Sequence, residues 1–132
     1  MVHGPQGGWH LLTAVQLHNV RSVVQLEAQA FIDDVPITGL QRYHVPLTSV
    51  APCTAVLTDL YLYLSVTEWA DDAADTPPAL FSCKDTDVDV CASDSDGRRV
   101  CERLSARILP DPMDVKAGLA EACGDVTDTD SP

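Results

Sequence analysis

Residues 85–109, DTDVDVCASDSDGRRVCERLSARIL, carry the pattern that decides the fold. Two runs in this stretch alternate apolar and polar residues with the period of two that is typical of a half-buried β-strand. Between them lies Ser95-Asp96-Gly97. A three-residue hairpin loop needs a left-handed residue at the position of Gly97, and glycine adopts that conformation without a Cβ clash. The stretch therefore predicts a β-hairpin.

The length of this loop fixes which residues face each other. With residue 94 opposite residue 98, Cys91 faces Cys101 at a non-hydrogen-bonded site, where Cα atoms approach to about 4.5 Å and a disulfide bond is within reach. The same register creates two acid–base pairs, Asp89 with Arg103 and Asp85 with Arg107. A two-residue loop would split every one of these pairs across the two faces. We therefore predict a Cys91–Cys101 disulfide, with two reduced thiols as the alternative.

Length and charge limit the class of protein. A chain of 132 residues has room for one domain with one core. Its net charge is −12, which disfavours nucleic acid as a partner because phosphates would be repelled. Sixteen of the 20 acidic residues are Asp, a residue that suits turns, helix caps and cation coordination. The simpler interpretation of these acids is a solvated surface.

Five cysteines in a small β-rich chain indicate an oxidising compartment outside the cytoplasm: the periplasm, the outer-membrane surface or the medium. None of them has the C-x-x-C spacing of zinc or thioredoxin-like redox sites. Beyond the hairpin, spacing does not select the pairing. Cys53–Cys83 is the second bridge that we consider, and it leaves Cys123 free to contact another chain. No run of about 20 apolar residues is present, so no transmembrane segment is expected.

The remaining pattern indicates an all-β chain of six to seven strands. Alternation predicts strands over residues 9–18, 22–32 and 55–66, and a weaker strand over residues 37–47 after a turn at Asp33-Asp34-Val35-Pro36. Residues 67–84 are expected to cross between two sheets, with one helical turn starting at Thr67-Glu68-Trp69-Ala70 and ended by Pro77-Pro78. The predicted fold is an antiparallel, immunoglobulin-like β-sandwich.

The predicted domain organisation places this sandwich between two less regular ends. Residues 1–8 form an irregular arm, 9–109 the sandwich, 110–124 a short helix or tail, and 125–132 a disordered tail. In the third segment, Asp111 is expected to cap a helix that begins at Pro112 and presents one apolar face as far as Gly124. The start, MVHGPQGGWH, lacks the basic end and apolar run of a signal peptide, so a leader would have been removed or replaced by Met1.

Two residues are candidates for contact with a partner. Tyr61 and Tyr63 fall on the outward face of the strand over residues 55–66. Tyrosine supplies large contact area at low cost in conformational entropy and is enriched in interfaces. The alternative is that both rings only cover neighbouring side chains on the sheet.

The candidate metal ligands fall in two places. Aspartates of the hairpin could bind calcium, and His3 could form an amino-terminal copper site; the aspartates are Asp85, Asp87, Asp89, Asp94 and Asp96. This spacing lacks the Gly and the distal Glu of an EF-hand loop. Alternate strand residues also lie about 6.6 Å apart, too far for three to chelate one ion unaided. We therefore expect no cofactor, with calcium or copper as the alternative.

No catalytic motif is present in the sequence. It contains no G-x-S-x-G elbow, no glycine-rich phosphate loop and no H-E-x-x-H. We therefore expect no enzymatic activity.

Two stretches resemble a group of secreted proteins of Gram-negative bacteria. They are G-P-Q-G-G-W-H at residues 4–10, and V-x-V-C-x-x-D-x-D-G-R at residues 88–98 followed by P-D-P at 110–112. In that group an immunoglobulin-like sandwich follows a signal or lipoprotein leader. The resemblance implies this fold and an extracytoplasmic location, but it carries no activity and no site residue to this chain. No tryptophan lies between a cysteine pair at the antibody spacing, so the chain departs from antibody domains.

The function expected from these patterns is a non-enzymatic, disulfide-stabilised binding or assembly module. Its partner would be another protein or a second copy of the chain. A small secreted metal-binding protein is the alternative.

Overall fold

The structure, a computed structural model, describes residues 1–3, 8–19, 23–46, 48–66, 69 and 76–124 of the 132-residue chain. Strands dominate these ranges, with two short helices. In chain order the elements are β1 (Val2–His3), β2 (Trp9–His18), β3 (Val23–Ile32), β4 (Val35–Pro36), β5 (Gln41–Pro46), β6 (Thr48–Ala51), β7 (Thr54–Tyr63), α1 (Pro77–Phe81), β8 (Asp85–Asp94), β9 (Arg99–Arg107) and α2 (Pro112–Lys116).

The strands form two antiparallel sheets. The first sheet has the order β1-β2-β7-β6. In the second sheet, β3 lies between β8 and the shorter β4 and β5, and β9 lies outside β8. The core between the sheets is most deeply buried at Leu26, Ile37, Leu62, Pro78 and Phe81. The prediction of an all-β chain with two antiparallel sheets is confirmed.

The hairpin of β8 and β9 has the predicted register. Cys91 lies opposite Cys101, Asp89 opposite Arg103 and Asp85 opposite Arg107. The loop closes through two backbone hydrogen bonds, from Asp94 N to Arg98 O at 3.0 Å and from Gly97 N to Asp94 O at 3.1 Å. Gly97 has φ +80°, the left-handed conformation that the three-residue loop requires.

Alternation predicts that Leu11 and Val15 of β2 and Leu26, Ala28 and Ala30 of β3 face the core, and this is confirmed. For β7 alternation predicts Val56, Leu60 and Leu62 on the inner face, which is correct only in the second half of the strand. Leu60 and Leu62 are buried, and Tyr61 and Tyr63 are exposed. Before them the pairing with β2 shifts by one residue between Thr13↔Leu60 and Val15↔Leu57. The extra residue in β7 reverses the faces. Leu57 therefore packs against the core, and the prediction that Val56 faces inward is wrong.

The region between β3 and β7 differs from the prediction in three respects. Only Asp33 and Asp34 form the turn, with φ of 49° and 63°, and Val35-Pro36 already pairs with β3 as β4. The predicted strand over residues 37–47 is the shorter β5, and Leu47 lies outside the described residues. The sequence also did not predict β6, which is four residues long and pairs with β7.

The connection from β7 to β8 crosses from the first sheet to the second, as predicted, but its helix lies elsewhere. Pro77 and Pro78 begin α1 instead of ending a helix, because the first helical turn needs no backbone N–H donor. Phe81 at the end of α1 is fully buried, and its ring meets that of Trp69 edge-on with centroids 5.6 Å apart. The predicted helical turn falls on Thr67, Glu68 and Ala70, which lie outside the described residues.

The described segments near the two termini pack together. Within the predicted irregular arm, Val2 and His3 form β1 and pair with β2; residues 4–7 lie outside the described part, as does the predicted disordered tail 125–132. Asp111 caps α2 as predicted, accepting from Met113 N at 2.9 Å. The helix ends at Lys116, well before Gly124, and Gly118 follows at φ +75°. Trp9 Nε1 donates to Asp114 Oδ2 at 3.0 Å, which docks α2 on β2.

Candidate functional site

A group of four side chains lies on the outer face of the first sheet, three of them exposed and His10 half-buried, and we call it the tyrosine patch: His10, Leu12, Tyr61 and Tyr63. The β2–β7 register places His10 opposite Tyr63 and Leu12 opposite Tyr61. Tyr61 is 46% exposed, Tyr63 51% and Leu12 46%. The His10 ring meets both tyrosine rings edge-on, with centroids 5.7 Å from Tyr61 and 4.8 Å from Tyr63. The four side chains therefore form one continuous surface of amphipathic rings and one aliphatic group.

The backbone beneath the tyrosine patch is held by side chains from the other sheet. Tyr43 on β5 donates its hydroxyl hydrogen to Tyr61 O. With the Gln41 amide oriented to satisfy its neighbours, its nitrogen donates to Tyr61 O at 2.8 Å and its oxygen accepts from Tyr63 N at 2.7 Å. Burial raises the pKa of Tyr43. The backbone of β7 at the two tyrosines thus makes hydrogen bonds to side chains of β5 in place of a neighbouring strand. These bonds hold the tyrosine patch in one arrangement before any partner binds.

Sequence reasoning found the two tyrosines but missed His10 and Leu12 as members of the same surface. The available signal was Leu12, an apolar residue on the predicted outward face of the strand over residues 9–18. What the sequence did not show was the pairing of β2 with β7, which brings that face beside the tyrosines.

The cysteines form two disulfides, of which one was predicted. Cys91–Cys101 is confirmed, with Cα atoms 4.1 Å apart. The predicted Cys53–Cys83 bridge is wrong, because Cys83 is bonded to Cys123 with Cα atoms 5.4 Å apart. Cys53 is free and exposed in the turn between β6 and β7. Cys123 is therefore not available for another chain, and the segment after α2 is tied back to the end of α1.

Three of the aspartates proposed as calcium ligands, Asp85, Asp87 and Asp89, are engaged with cationic or hydroxyl partners. Arg103 donates two hydrogen bonds to the Asp89 carboxylate, from Nε at 2.6 Å and from Nη2 at 3.0 Å. These hydrogen bonds lower the pKa of that carboxyl. Asp87 accepts from Ser105 at 2.5 Å, and Asp85 lies 3.4 Å from Arg107 Nε. These side chains form separate cross-strand pairs between β8 and β9 on the outer face of the second sheet. Their carboxylates do not converge on one point.

The Asp94 carboxylate stabilises the hairpin loop, to which Asp96 contributes its backbone N–H. Asp94 accepts from the Arg98 guanidinium at 2.7 Å and from the backbone N–H groups of Asp96 and Arg98. Burial of the carboxyl opposes its ionisation, but these hydrogen bonds lower its pKa overall. Among the described residues, no three His, Cys, Asp or Glu side chains are grouped so that they could hold a metal ion.

The geometry of the amino terminus bears on the proposed copper site at His3. The Met1 amine donates to Leu109 O at 2.8 Å, and burial lowers its pKa, although Asp111 and Asp114 act in the opposite direction. The backbone of Val2 and His3 pairs with β2. The amine that such a site would use is thus already engaged within the fold, and the backbone that follows it is held in a strand.

No helix in the described part of the chain is both long enough and apolar enough to span a membrane. A scan against protein-family models and searches of curated proteins and of solved structures found no significant match to the chain.

Proposed function

We propose that this protein is a non-enzymatic binding module that acts outside the cytoplasm and recognises another protein through the tyrosine patch. The observation that carries the proposal is the arrangement of Tyr61 and Tyr63, which are about half exposed and yet held by the contacts of their backbone and rings. A rigid aromatic surface loses little conformational entropy when a partner covers it. Tyrosine is also among the residues enriched in the energetic centres of interfaces.

The proposed fold is immunoglobulin-like, and the strand order supports it. Immunoglobulin constant domains place strands A, B, E and D in one sheet and C, F and G in the other. Assigned in chain order, β1, β2, β7 and β6 correspond to the first set, and β3, β8 and β9 to the second, with β5 as an additional strand beside β3. The two disulfides support a location in an oxidising compartment.

Photocrosslinking in the native host tests the proposed function. A photoreactive phenylalanine derivative replaces Tyr63 in one variant and Met113 in the control variant. Met113 is the better exposed of the two, at 74% against 51%, so accessibility alone would favour crosslinking from the control position. We expect the Tyr63 position, and not the Met113 position, to yield one defined adduct, which Leu12→Asp then abolishes. Equal adducts from both positions, or none from position 63, would overturn the proposal.

A further inference from the structure

The two long sides of the sandwich differ. On the side of β5 and β7, Gln41 and Tyr43 bridge the sheets by hydrogen bonds to the β7 backbone. On the opposite side, between β2 and β9, lies a cleft of about 210 Å³. Its apolar lining comes from both sheets: Val15 and Leu17 of β2, Val88 and Val90 of β8, and Val100 and Leu104 of β9.

Both strands that border this cleft have an unpaired backbone edge in the described part of the chain. β9 pairs only with β8 there. β2 pairs with β7 on one side, and on the other side β1 covers only Trp9 and His10. The edge of β2 from Leu11 to His18 and the outer edge of β9 therefore offer backbone donors and acceptors to an added strand.

The inward side chains of β9 are uncovered, although their partners on β8 are largely buried. Val100 is 56% exposed and Leu104 49%, whereas Val88 opposite Leu104 is 7% exposed. Sandwich residues on an inner face are normally covered by the facing sheet. Here β1 extends the facing sheet only beside Trp9 and His10, so along residues 11–18 that sheet ends at β2 and the second sheet extends one strand beyond it.

One charge lies within this apolar row. Glu102 is opposite Val90 on the inward face of β9, between Val100 and Leu104, and it lines the cleft. It has no ion-pair partner among the described residues. A carboxylate covered by apolar groups is costly unless a cation meets it. An occupant of this cleft must therefore bring a positive charge to the position opposite Glu102.

A second copy of this chain does not meet that requirement. Neither the inward row of β9 nor that of β2 contains a lysine or arginine, so pairing either edge with a second copy would leave Glu102 without a cation, and each molecule carries a net charge of −12. A small ligand is also a poor match, because the cleft is smaller than the 300–1,000 Å³ typical of ligand pockets. An extended peptide uses both the apolar lining and the unpaired edges.

We propose that the cleft between β2 and β9 receives a β-strand of a partner protein, whose inward residues are apolar except for one lysine or arginine opposite Glu102. Backbone pairing with the free edges supplies affinity, and the buried charge pair selects the partner and sets its register. No residue of the tyrosine patch lines this cleft, so the inference goes beyond the proposed function and does not depend on it.

The test uses two synthetic peptides and the full-length protein. Acetyl-VTVTKTVTV-amide places one lysine on the face that carries its valines, and acetyl-VTVTETVTV-amide replaces that lysine with glutamate. Affinities are measured by fluorescence anisotropy with labelled peptides for the wild type, for Glu102→Lys and for the double variant Tyr61→Ala/Tyr63→Ala.

We expect the wild type to prefer the lysine peptide by about tenfold or more, since a like charge at a buried contact is strongly disfavoured. Glu102→Lys should reverse this preference, and the double tyrosine variant should retain it. Hydrogen exchange should slow at β2 residues 11–18 and in β9 on binding.

Several results would overturn the proposal. They are equal affinity of the folded wild type for both peptides, no binding of either at 1 mM peptide, protection confined to β5 and β6, and binding of an apolar dye in the cleft without peptide binding. Self-association that protects β9 without peptide would also overturn it, in favour of a second copy. Loss of crosslinking at Tyr63 with peptide selectivity intact would refute only the proposed function.

Discussion

At the scale of single residues, Gly97 is the position on which the hairpin register depends. Its φ is +80°, and a Cβ built there would meet nothing within 4 Å. Gly97→Ala therefore tests conformation without a clash, and we expect it to destabilise the fold by about 1–2 kcal/mol. Gly39→Ala is the matched control, because that site is equally open and has no positive φ. Urea unfolding measures both, and equal effects would contradict the role given to Gly97.

The state of each cysteine gives a second prediction at this scale. Digestion with Asp-N and trypsin under non-reducing conditions should yield two linked peptide pairs, Cys83 with Cys123 and Cys91 with Cys101. Iodoacetamide added to the native protein should label Cys53 alone, because it is free and exposed. Mass spectrometry reads out both results. A Cys53–Cys83 peptide pair would show that the chain ends follow another path.

The two disulfides show how far residue-level reasoning from sequence extends. Cys91 and Cys101 are brought together by one short loop, so counting from Gly97 is sufficient. Cys83 meets Cys123 across a separation of 40 residues, and their meeting depends on α1 and α2 lying at the same end of the sandwich. The sequence patterns found both proline-marked regions but could not position them relative to each other.

At the scale of elements, a buried hydrogen bond docks α2 on β2. Asp114 is 1% exposed and accepts from the Trp9 indole at 3.0 Å. Removing that donor with Trp9→Phe should lower the free energy of unfolding by about 1.5–3 kcal/mol, because the hydrogen bond is made to a charged group. Trp69→Phe is the matched control. This variant removes an indole hydrogen bond of equal length that is made to the neutral Pro36 carbonyl. We expect it to lower the free energy of unfolding by about 0.5–1.5 kcal/mol.

Urea denaturation monitored by far-UV circular dichroism measures both tryptophan variants. A larger loss of unfolding free energy for Trp69→Phe than for Trp9→Phe would argue against the contact with Asp114 as the anchor of α2.

Strand positions were predictable where alternation is regular, and failed where an element breaks its period. β2 matches the predicted range 9–18 at both ends because its pattern is uninterrupted. In β7 the one-residue shift near Leu57 leaves no mark in the sequence, since Val56 and Leu57 are both apolar. The cleft was not predictable either, because alternation places Val100 and Leu104 on an inner face without showing that the other sheet ends at β2.

At the scale of the whole molecule, removing each disulfide should have unequal effects. The closed loops span 40 residues for Cys83–Cys123 and 10 for Cys91–Cys101. By the chain-entropy estimate, replacing Cys83 and Cys123 by serines should lower the free energy of unfolding by about 4 kcal/mol. Replacing Cys91 and Cys101 should lower it by about 2.7 kcal/mol. Guanidinium unfolding of the two double variants measures this order. The reverse order would indicate that strain in the folded state outweighs the entropy of the unfolded chain.

Acidification affects the ion pairs and the overall charge of the molecule in opposite directions. Hydrogen bonds from Arg103 lower the pKa of Asp89 below its usual 3.8, and those from Arg99 and Arg42 lower that of Glu27 below 4.5. Because these pKa values are depressed in the folded state, their stabilisation is present above the unfolded values and is lost as the pH falls through the folded ones. Protonation also reduces the net charge of −12 and its repulsion. Melting of the wild type alone therefore combines two opposing effects.

Comparison with Asp89→Asn separates the two effects, since general repulsion changes almost equally in both proteins. We expect the wild type to melt higher at pH 7, because the variant lacks the two-pronged contact of Arg103 with the carboxylate. Because the pKa of Asp89 is depressed in the folded state, the gap should narrow progressively as the pH falls below 3.8 and through the folded pKa, where the wild-type carboxylate takes up its proton. Since the pair is 40–47% exposed, 1 M NaCl at pH 7 should also narrow the gap. Calorimetry from pH 7 to pH 2 provides the measurement, and a gap unchanged by both acid and salt would show that Asp89 acts through packing and not through its charge.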